Sequence, residues 1–251
     1  MTQEQVVNIS TEISYQMLKN GAEIYRVEQC VRYISRAYGF PDADCFALLT
    51  SLVVTVTNGE KICTRTKRVT DRTTNFDKVA AYNDLSRYLC TNRPDYFTAH
   101  EMLENIRRQK SYSFGKMTGT YVFISFFFGL LYGGNFITAL LTGAIGTVIY
   151  PIQWIGEKIE SNLFFINMIT SAAMAFCVCI VHSFIYPHHM DAMVIGLIMN
   201  LVPGVALTHC MRDLISNELI SGLARLAEVF ISAAGTAVGV FVVLTLFGLS
   251  V

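Results

Sequence analysis

Two kinds of hydrophobic pattern divide the chain near residue 117. Before it, apolar residues recur every three or four positions or alternate with polar ones, as in amphipathic helices and strands. After it, apolar residues run almost without interruption in five segments. Each segment approaches the roughly 20 residues that cross about 30 Å of hydrocarbon. The segments cover approximately residues 117–132, 135–153, 162–184, 192–211 and 226–249. The pattern predicts a polar domain, residues 1–116, and a transmembrane domain, residues 117–251.

The polar half predicts a small α+β domain. Val6, Ile9, Ile13 and Met17 share one helix face, and "AEIYRVEQCVRYISRAYG" repeats that spacing. The β-branched run "FALLTSLVVTVT" and the alternating run "KICTRTKRV" predict two strands, joined through the hairpin signal Asn58-Gly59. Two further helical patterns follow, which gives the order α-α-β-β-α-α. The predicted fold class is a mostly α-helical polytopic membrane protein, with about five transmembrane helices and this small α+β N-terminal cytoplasmic domain.

Charge gives the predicted membrane domain its orientation. The net charge is zero, yet residues 1–116 hold all the Lys and Arg residues except Lys158, Arg212 and Arg225. A basic run precedes the first apolar segment and consists of Arg107, Arg108, Lys110 and Lys116. Basic residues favour the cytoplasmic side, and with five spans every basic residue falls inside. We therefore expect a plasma-membrane protein, surrounded by lipid, with a cytoplasmic N-terminus, an external C-terminus and no nucleic-acid partner.

Chemical motifs are sparse. The seven cysteines are scattered without zinc spacing, and 53% of the residues are hydrophobic. Four residues of one loop are potential metal ligands, but a polar outer loop explains them more simply; they are His182, His188, His189 and Asp191. His100 is the only histidine of the polar half and has no companion nucleophile motif. We predict no catalytic residue, no metal and no cofactor.

The stretch "IMNLVPGVALTHCMRD" interrupts the fourth apolar segment. Pro203 removes a backbone donor, and Gly204 adds flexibility beside it. Broken helices in transporters place such groups, and the positive end of the second half-helix, at the substrate. The candidate substrate-binding residues are Asn200, Pro203, Gly204 and Thr208, and the candidate gate or charge relay is Arg212 with Asp213. The alternatives are a plain proline kink and, for Arg212, a position at the membrane interface.

Two further groups of residues stand out. Glu23, Arg26 and Glu28 form a dense charged cluster shortly after Gly21. This cluster is either a solvated face with local charge pairing or an ion-pair network that holds the cytoplasmic domain at the inner mouth. In the last apolar segment, Gly235-x-x-x-Gly239 permits close helix packing without identifying the partner helix.

Two stretches of the chain resemble the threonine/serine exporter family, in particular its short, split members. The resemblance is carried by "GAEIYRVEQCVRYISRAYG" (Gly21–Gly39) and by Gly196–Val240, with its elements "LVPG", "RDL" and "SGLARL". The positions that match by motif are Gly21, Glu23, Arg26, Glu28, Pro203, Gly204, Arg212, Asp213, Ser221 and Gly222. The resemblance implies a hydrolase-like cytoplasmic domain followed by five spans, and export of small metabolites across a bacterial plasma membrane. It also implies a separate small membrane subunit, since long members have about ten spans and this chain would be half of that assembly.

Three hypotheses result. The first is a subunit of a proton-coupled secondary exporter of small carboxylate metabolites, which works in an oligomer with the small membrane subunit. Its substrates would be threonine/serine-type amino acids or, alternatively, succinate-type dicarboxylates. The second is a membrane-anchored hydrolase-like enzyme, although five spans exceed what an anchor needs and no nucleophile–base pair is recognisable. The third is a non-transporting regulatory subunit. The first is preferred, so we expect no enzyme activity.

Overall fold

The computed structural model describes residues 1–109, 112–159 and 162–248. Lys110 of the basic run and residue 249, the end of the last predicted span, lie outside the described residues. The chain forms two compact units. The first unit joins Met1–Lys110 to Thr208–Arg225, and the second joins Ser111–Leu207 to Leu226–Val251. The division therefore differs from the single boundary predicted at residues 116 and 117, because a late segment belongs to the same unit as the polar half.

The N-terminal part of the first unit contains four helices and three strands. They are α1 (Gln3–Lys19), α2 (Ile24–Ala37), β1 (Ala43–Leu48), β2 (Ser51–Asn58), β3 (Lys61–Arg68), α3 (Phe76–Asn92) and α4 (Tyr96–Arg108). The sheet is antiparallel in the order β1-β2-β3. The run predicted as one strand forms both β1 and β2, because Leu49 and Thr50 turn the chain within it. The predicted hairpin joins β2 to β3 through Gly59 and Glu60, with Asn58 opposite Lys61.

The core of this part lies on both sides of α1. Helix α1 contacts β2 and β3 as well as α3 and α4, while α2 packs against α1, β1 and α3. Because α1 has neighbours on several sides, its polar Ser10, Thr11 and Ser14 are buried along with its apolar stripe. One sheet face supplies Leu52, Val54 and Val56, which alternate with partly exposed residues as a half-buried strand requires.

The second unit is helical. Its elements are α5 (Phe114–Leu131), α6 (Phe136–Gly146), α7 (Ile149–Lys158), α8 (Leu163–Phe184) and α9 (Met190–Ile198). Two more helices belong partly to each unit, and they are α10 (Gly204–Ile215) and α11 (Leu219–Leu246). Helix α5 packs on α6 and α9, and α8 packs on α6, α7 and α9. Large apolar side chains on the outside of these helices, such as Phe123, Phe165 and Phe241, are exposed, as lipid-facing residues would be.

Four helices among the described residues are long and apolar enough to cross a membrane. They are Phe114–Leu131, Phe136–Lys158, Leu163–Phe184 and Leu219–Leu246, the second made of α6 and α7 with a two-residue turn between them. The predicted fourth span, 192–211, is no continuous helix because the chain leaves the helical conformation before Pro203. The structure is thus mostly helical with four candidate spans and a small sheet, and a fifth continuous spanning helix is not found among residues 1–109, 112–159 and 162–248.

The predicted span boundaries also shift. The first helix begins at Phe114, three residues early, because Ser113 takes the N-cap position. The second candidate span continues to Lys158, through residues predicted as a cytoplasmic loop. The last helix begins at Leu219 rather than near residue 226, so the predicted loop 212–225 is mainly helical. The ends of these helices are amphipathic and contain polar residues. A search for continuous apolar runs excludes such residues, which explains the differences.

Candidate functional site

The break in the fourth apolar segment separates α9 from α10. Helix α9 ends at Ile198 and α10 begins at Gly204. The amides of residues 200–202 donate to carbonyls three or four positions earlier, at 2.7–3.2 Å. The Gly204 amide donates to the Val202 carbonyl at 2.8 Å. A broken helix can leave such an amide free to bind a ligand, but the Gly204 amide is already bonded, and Pro203 has no amide hydrogen to offer.

Asn200 is the polar side chain of the break. Its Nδ2 donates to Ser125 Oγ on α5 at 2.8 Å and to the Leu197 carbonyl at 3.2 Å. Its Oδ1 is buried and has no hydrogen-bond partner in the part of the chain that the structure describes. Leaving such an acceptor unpaired costs about 1–3 kcal/mol. A bound molecule that donates a hydrogen bond there would recover this free energy.

Small residues bring three helices together at the break. A Cβ atom on Gly196 of α9 would lie 2.8 Å from the Gly129 nitrogen of α5. A Cβ atom on Gly146 of α6 would lie 2.6 Å from Ser125 Oγ. Ser125 and Thr142 are fully buried. The helices α5, α6 and α9 therefore meet at backbone contact distance, with buried hydroxyl groups beside the contact.

The other candidate ligands are less enclosed. Pro203 is half-buried, whereas Gly204 and Thr208 are exposed. Thr208 belongs to the first unit, and Asn200, Pro203 and Gly204 belong to the second. The residue that the structure places against Asn200 is Ser125, which the sequence argument did not single out. A lone serine in an apolar run gives no spacing signal, so only the helix packing identifies it.

Glu23 and Arg212 form an ion pair inside the first unit. Glu23 is the N-cap residue of α2 and is only 6% exposed. Its Oε1 accepts a hydrogen bond from the Arg212 guanidinium of α10. Its Oε2 lies 3.7 Å from Arg26 Nε. A buried carboxylate needs such partners because its desolvation costs several kcal/mol. The two motif stretches of the sequence thus meet at this pair.

A second ion pair, more deeply buried, joins α10 to α11. Asp213 is 1% exposed and Arg225 is 7% exposed. Arg225 Nε donates to Asp213 Oδ2 at 3.3 Å. Burial raises the pKa of Asp213, which lies outside the four candidate spans, although the Arg225 charge and hydrogen bond oppose the rise. The adjacent Arg212 and Asp213, proposed as one relay, therefore have separate partners. The role of Arg225 was missed because a twelve-residue spacing fits no local pairing rule.

Two more of the motif residues, Ser221 and Gly222, lie in the first turn of α11, next to the turn that joins α10 to α11. Asn217 in this turn has a φ angle of 65°. A Cβ atom on Gly222 would lie 2.7 Å from Leu214 Cδ2, and Cys210 Sγ lies 3.3 Å from the Gly222 carbonyl. Ser221 is buried, and its hydroxyl has no partner among residues 1–109, 112–159 and 162–248. These positions therefore form a tightly packed helical corner.

Glu28 and Gly21 have local roles. The Glu28 carboxylate accepts from the Ala47 amide of β1 at 3.2 Å and from Arg32 at 3.4 Å. Burial raises the pKa of Glu28 even though the Ala47 amide favours its ionised form. Gly21 has a φ angle of 93°, and a Cβ atom there would lie 3.2 Å from the Thr73 carbonyl oxygen. Glu28 thus joins α2 to the sheet, and Gly21 permits the turn between α1 and α2.

The glycine pair of α11 lies against α8. A Cβ atom on Gly235 would lie 2.5 Å from the Phe164 carbonyl oxygen, and one on Gly239 would collide with the Met168 carbonyl oxygen. Asn167 Nδ2 donates to Ser232 Oγ at 2.7 Å across the same two helices. The partner helix, which the sequence left open, is therefore α8.

Metal ligands do not gather in the described residues. No group of three or more His, Cys, Asp or Glu side chains that could hold a metal ion occurs in residues 1–109, 112–159 and 162–248. His188 lies edge-on to the Tyr186 ring, and His189 precedes the first residue of α9.

Comparison with known proteins gives one family. The family model described as "Putative threonine/serine exporter" matches residues 8–247. A curated protein of Mycobacterium tuberculosis named "Probable threonine/serine exporter" is 22% identical over 241 residues, which cover 94% of this chain and 45% of that protein. The chain therefore spans about half the length of the curated relative. No solved structure matches the chain.

Proposed function

The chain belongs to the threonine/serine exporter family, and on this premise we propose that it is a subunit of a secondary exporter of threonine/serine-type amino acids. The observation that carries the proposal is the unpartnered Oδ1 of Asn200 beside the helix break. Transporters bind their substrates at such breaks, where helix ends and polar side chains replace lost backbone bonds. The family membership makes this break the first place to look for a substrate.

The chemistry of Asn200 favours an amino acid over a dicarboxylate. The ammonium group of an amino acid donates hydrogen bonds and would satisfy Oδ1. The carboxylate would lie towards the N-terminal end of α10, whose partial positive charge favours an anion. A succinate-type dicarboxylate brings two acceptors and no ammonium, so it would leave Oδ1 unpaired and remains the alternative substrate.

The segments that make up the first unit support a proposal for the membrane topology. Met1–Lys110 and Thr208–Arg225 belong to one compact unit, and we propose that these two segments lie on the same side of a membrane. Three candidate spans separate them, and an odd number of crossings would place them on opposite sides. We infer that residues 190–207, with α9 and the break, make a fourth crossing. With α11 the chain then crosses five times, with its N-terminus in the cytoplasm and its C-terminus outside.

Arg212 and Asp213 are the proposed gate and charge relay. Arg212 is paired with Glu23, and Asp213 is paired with Arg225. A movement of α10 would have to break these ion pairs. Proton coupling is assigned to Asp213, because protonation of this carboxyl group would remove its attraction for Arg225. A separate small membrane subunit is the proposed partner, and we propose that the two work together in an oligomer.

Efflux measurements test the substrate site. Cells that express the chain with the proposed small membrane subunit are loaded with threonine, and its release is followed. We expect Asn200→Ala to slow release at least about tenfold, as loss of one hydrogen bond to a charged group would. The control is Thr245→Ala, which removes an exposed hydroxyl of α11. Export at the parental rate by both Asn200→Ala and Pro203→Ala would show that the break is not the substrate site.

A further inference from the structure

A groove between α2 and α3, on the first unit, carries an unusual set of charges. Its volume is about 900 Å³. Four arginines line it: Arg26 and Arg36 of α2, Arg87 of α3, and Arg93, the C-cap residue of α3. No carboxylate occurs among the described residues that line it. We call this region the arginine groove.

Most of these guanidinium groups have no ionic partner. Arg26 lies 3.7 Å from Glu23. Arg36, Arg87 and Arg93 take part in no salt bridge within the part of the chain that the structure describes. Four like charges facing one groove repel one another, so an anion bound between them would be stabilised. All four arginines are exposed, so a ligand in solution can reach them.

The spacing of the arginines indicates a long, multiply charged ligand. Ten residues separate Arg26 from Arg36, which is about 15 Å along a helix that rises 1.5 Å per residue. A ligand with several anionic groups can pair with arginines distributed along the groove, whereas one carboxylate or one inorganic phosphate offers a single anionic group. The groove is also near the upper end of the roughly 300–1,000 Å³ of drug-sized ligand sites. A threonine molecule, small and without net charge, matches neither property, so the groove is distinct from the proposed transport site.

The other side chains of the groove suit a phosphate-bearing organic molecule. Arginine binds phosphate oxygens through two parallel hydrogen bonds and is favoured for that purpose. Tyr25 and Tyr33 line the same groove, and Tyr33 is 57% exposed. An exposed tyrosine ring beside arginines offers a surface on which a nucleobase can stack. Ser86 and Cys30, which lie 3.3 Å apart and are buried, form part of the floor.

We propose that the arginine groove binds a small molecule carrying two or more phosphate groups. Two sources share this chemistry, a nucleoside polyphosphate and an inorganic polyphosphate chain. The tyrosines contribute only to the first. The site lies outside the break at Asn200, and the proposal therefore stands or falls independently of the exported substrate.

Binding to the purified full-length chain in detergent tests the proposal. Isothermal titration uses three probes: ATP, inorganic tripolyphosphate and adenosine. ATP and tripolyphosphate are expected to bind, more weakly as salt rises because exposed charges are screened, and adenosine is not. If ATP binds at least about tenfold more tightly than tripolyphosphate, the ligand is a nucleoside polyphosphate. If the two affinities are equal, the groove recognises the phosphate chain alone.

Variants locate the binding. Arg36→Gln and Arg87→Gln are each expected to weaken binding of ATP about tenfold, as loss of a charged hydrogen bond would. The matched control is Arg68→Gln, an exposed arginine of β3 outside the groove. All three side chains are exposed, so circular dichroism and gel filtration should show folded protein. The proposal is overturned if neither phosphate probe binds at millimolar concentration, or if the groove variants bind as the Arg68→Gln control does.

Discussion

Two acidic side chains of the first unit, one half-buried and one buried, each pair with a basic group from a distant element. Glu12 of α1 pairs with Lys67 of β3, and Glu23 of α2 pairs with Arg212 of α10. Burial acts to raise the pKa of Glu12, but the hydrogen bond and charge of Lys67 outweigh it and lower that pKa below its ordinary 4.5. Helix periodicity could identify these acids as polar positions, but not their partners, because both pairings depend on tertiary packing.

The Glu12–Lys67 pair predicts a specific pH dependence of stability. A lowered pKa in the folded state means that the pair contributes its full stability above pH 4.5 and loses it as pH falls through the folded-state pKa. At pH 7 we expect Glu12→Gln to reduce the free energy of unfolding of the full chain by about 1 kcal/mol. The deficit should shrink as the pH is lowered below about 4.

Thermal unfolding in detergent at several pH values measures this effect. The control is Glu4→Gln, because Glu4 and Lys61 form a pair in which both side chains are about two-thirds exposed. That control should have no measurable effect at any pH. A Glu12→Gln deficit that is the same at pH 7 and at pH 3 would contradict the assignment.

At the scale of elements, apolar periodicity located most helices but not their ends or breaks. The spacing of apolar residues predicted the apolar stripe on α1. It did not predict that the other sides of α1 are buried as well, because this burial depends on β2, α3 and α4 packing around the helix. The run 192–211 is apolar throughout, and only Pro203 signalled that it would divide. The close contact of α9 with α5, through Gly196 and Gly129, was invisible in the sequence.

The contact between α9 and α5 predicts that Gly196→Ala destabilises the second unit. An added Cβ atom would lie 2.8 Å from the Gly129 nitrogen and must force the helices apart. Overpacking of this kind costs about 1–3 kcal/mol. The matched control is Gly204→Ala, where a Cβ atom meets nothing within 4 Å. Thermal unfolding in detergent compares the two; equal unfolding temperatures for both variants would show that α9 and α5 are not in backbone contact.

At the scale of the whole molecule, the two units interleave along the chain. The first unit takes its last helices from Thr208–Arg225. A fragment cut after residue 116 lacks Arg212 and leaves the buried Glu23 without its ionic partner from α10. A test of the enzyme alternative therefore has to use the full chain. Sequence reasoning placed Glu23 and Arg212 in two motif stretches, but only the fold pairs them.

A double-mutant cycle on Glu23 and Arg212 measures this connection. Each single change, Glu23→Gln and Arg212→Gln, should lower the free energy of unfolding by roughly 1–2 kcal/mol, since Glu23 is buried and Arg212 is half exposed. The double variant should lose clearly less than the sum of both. Arg26→Gln is the control, with a smaller loss, because Arg26 lies 3.7 Å from Glu23 and makes no hydrogen bond to it. Strictly additive losses would mean that the pair contributes nothing.

The pairing of Glu23 with Arg212 also sets an order of events on the ribosome. The two residues lie 189 positions apart. At a synthesis rate of roughly 5–20 residues per second, Arg212 follows Glu23 by about 10–40 s. During this interval the Glu23 carboxylate depends on water for solvation, and the first turn of α2 lacks its final contacts with α10. The N-terminal domain is thus translated first, yet it completes its fold only after α5 to α9 have been made.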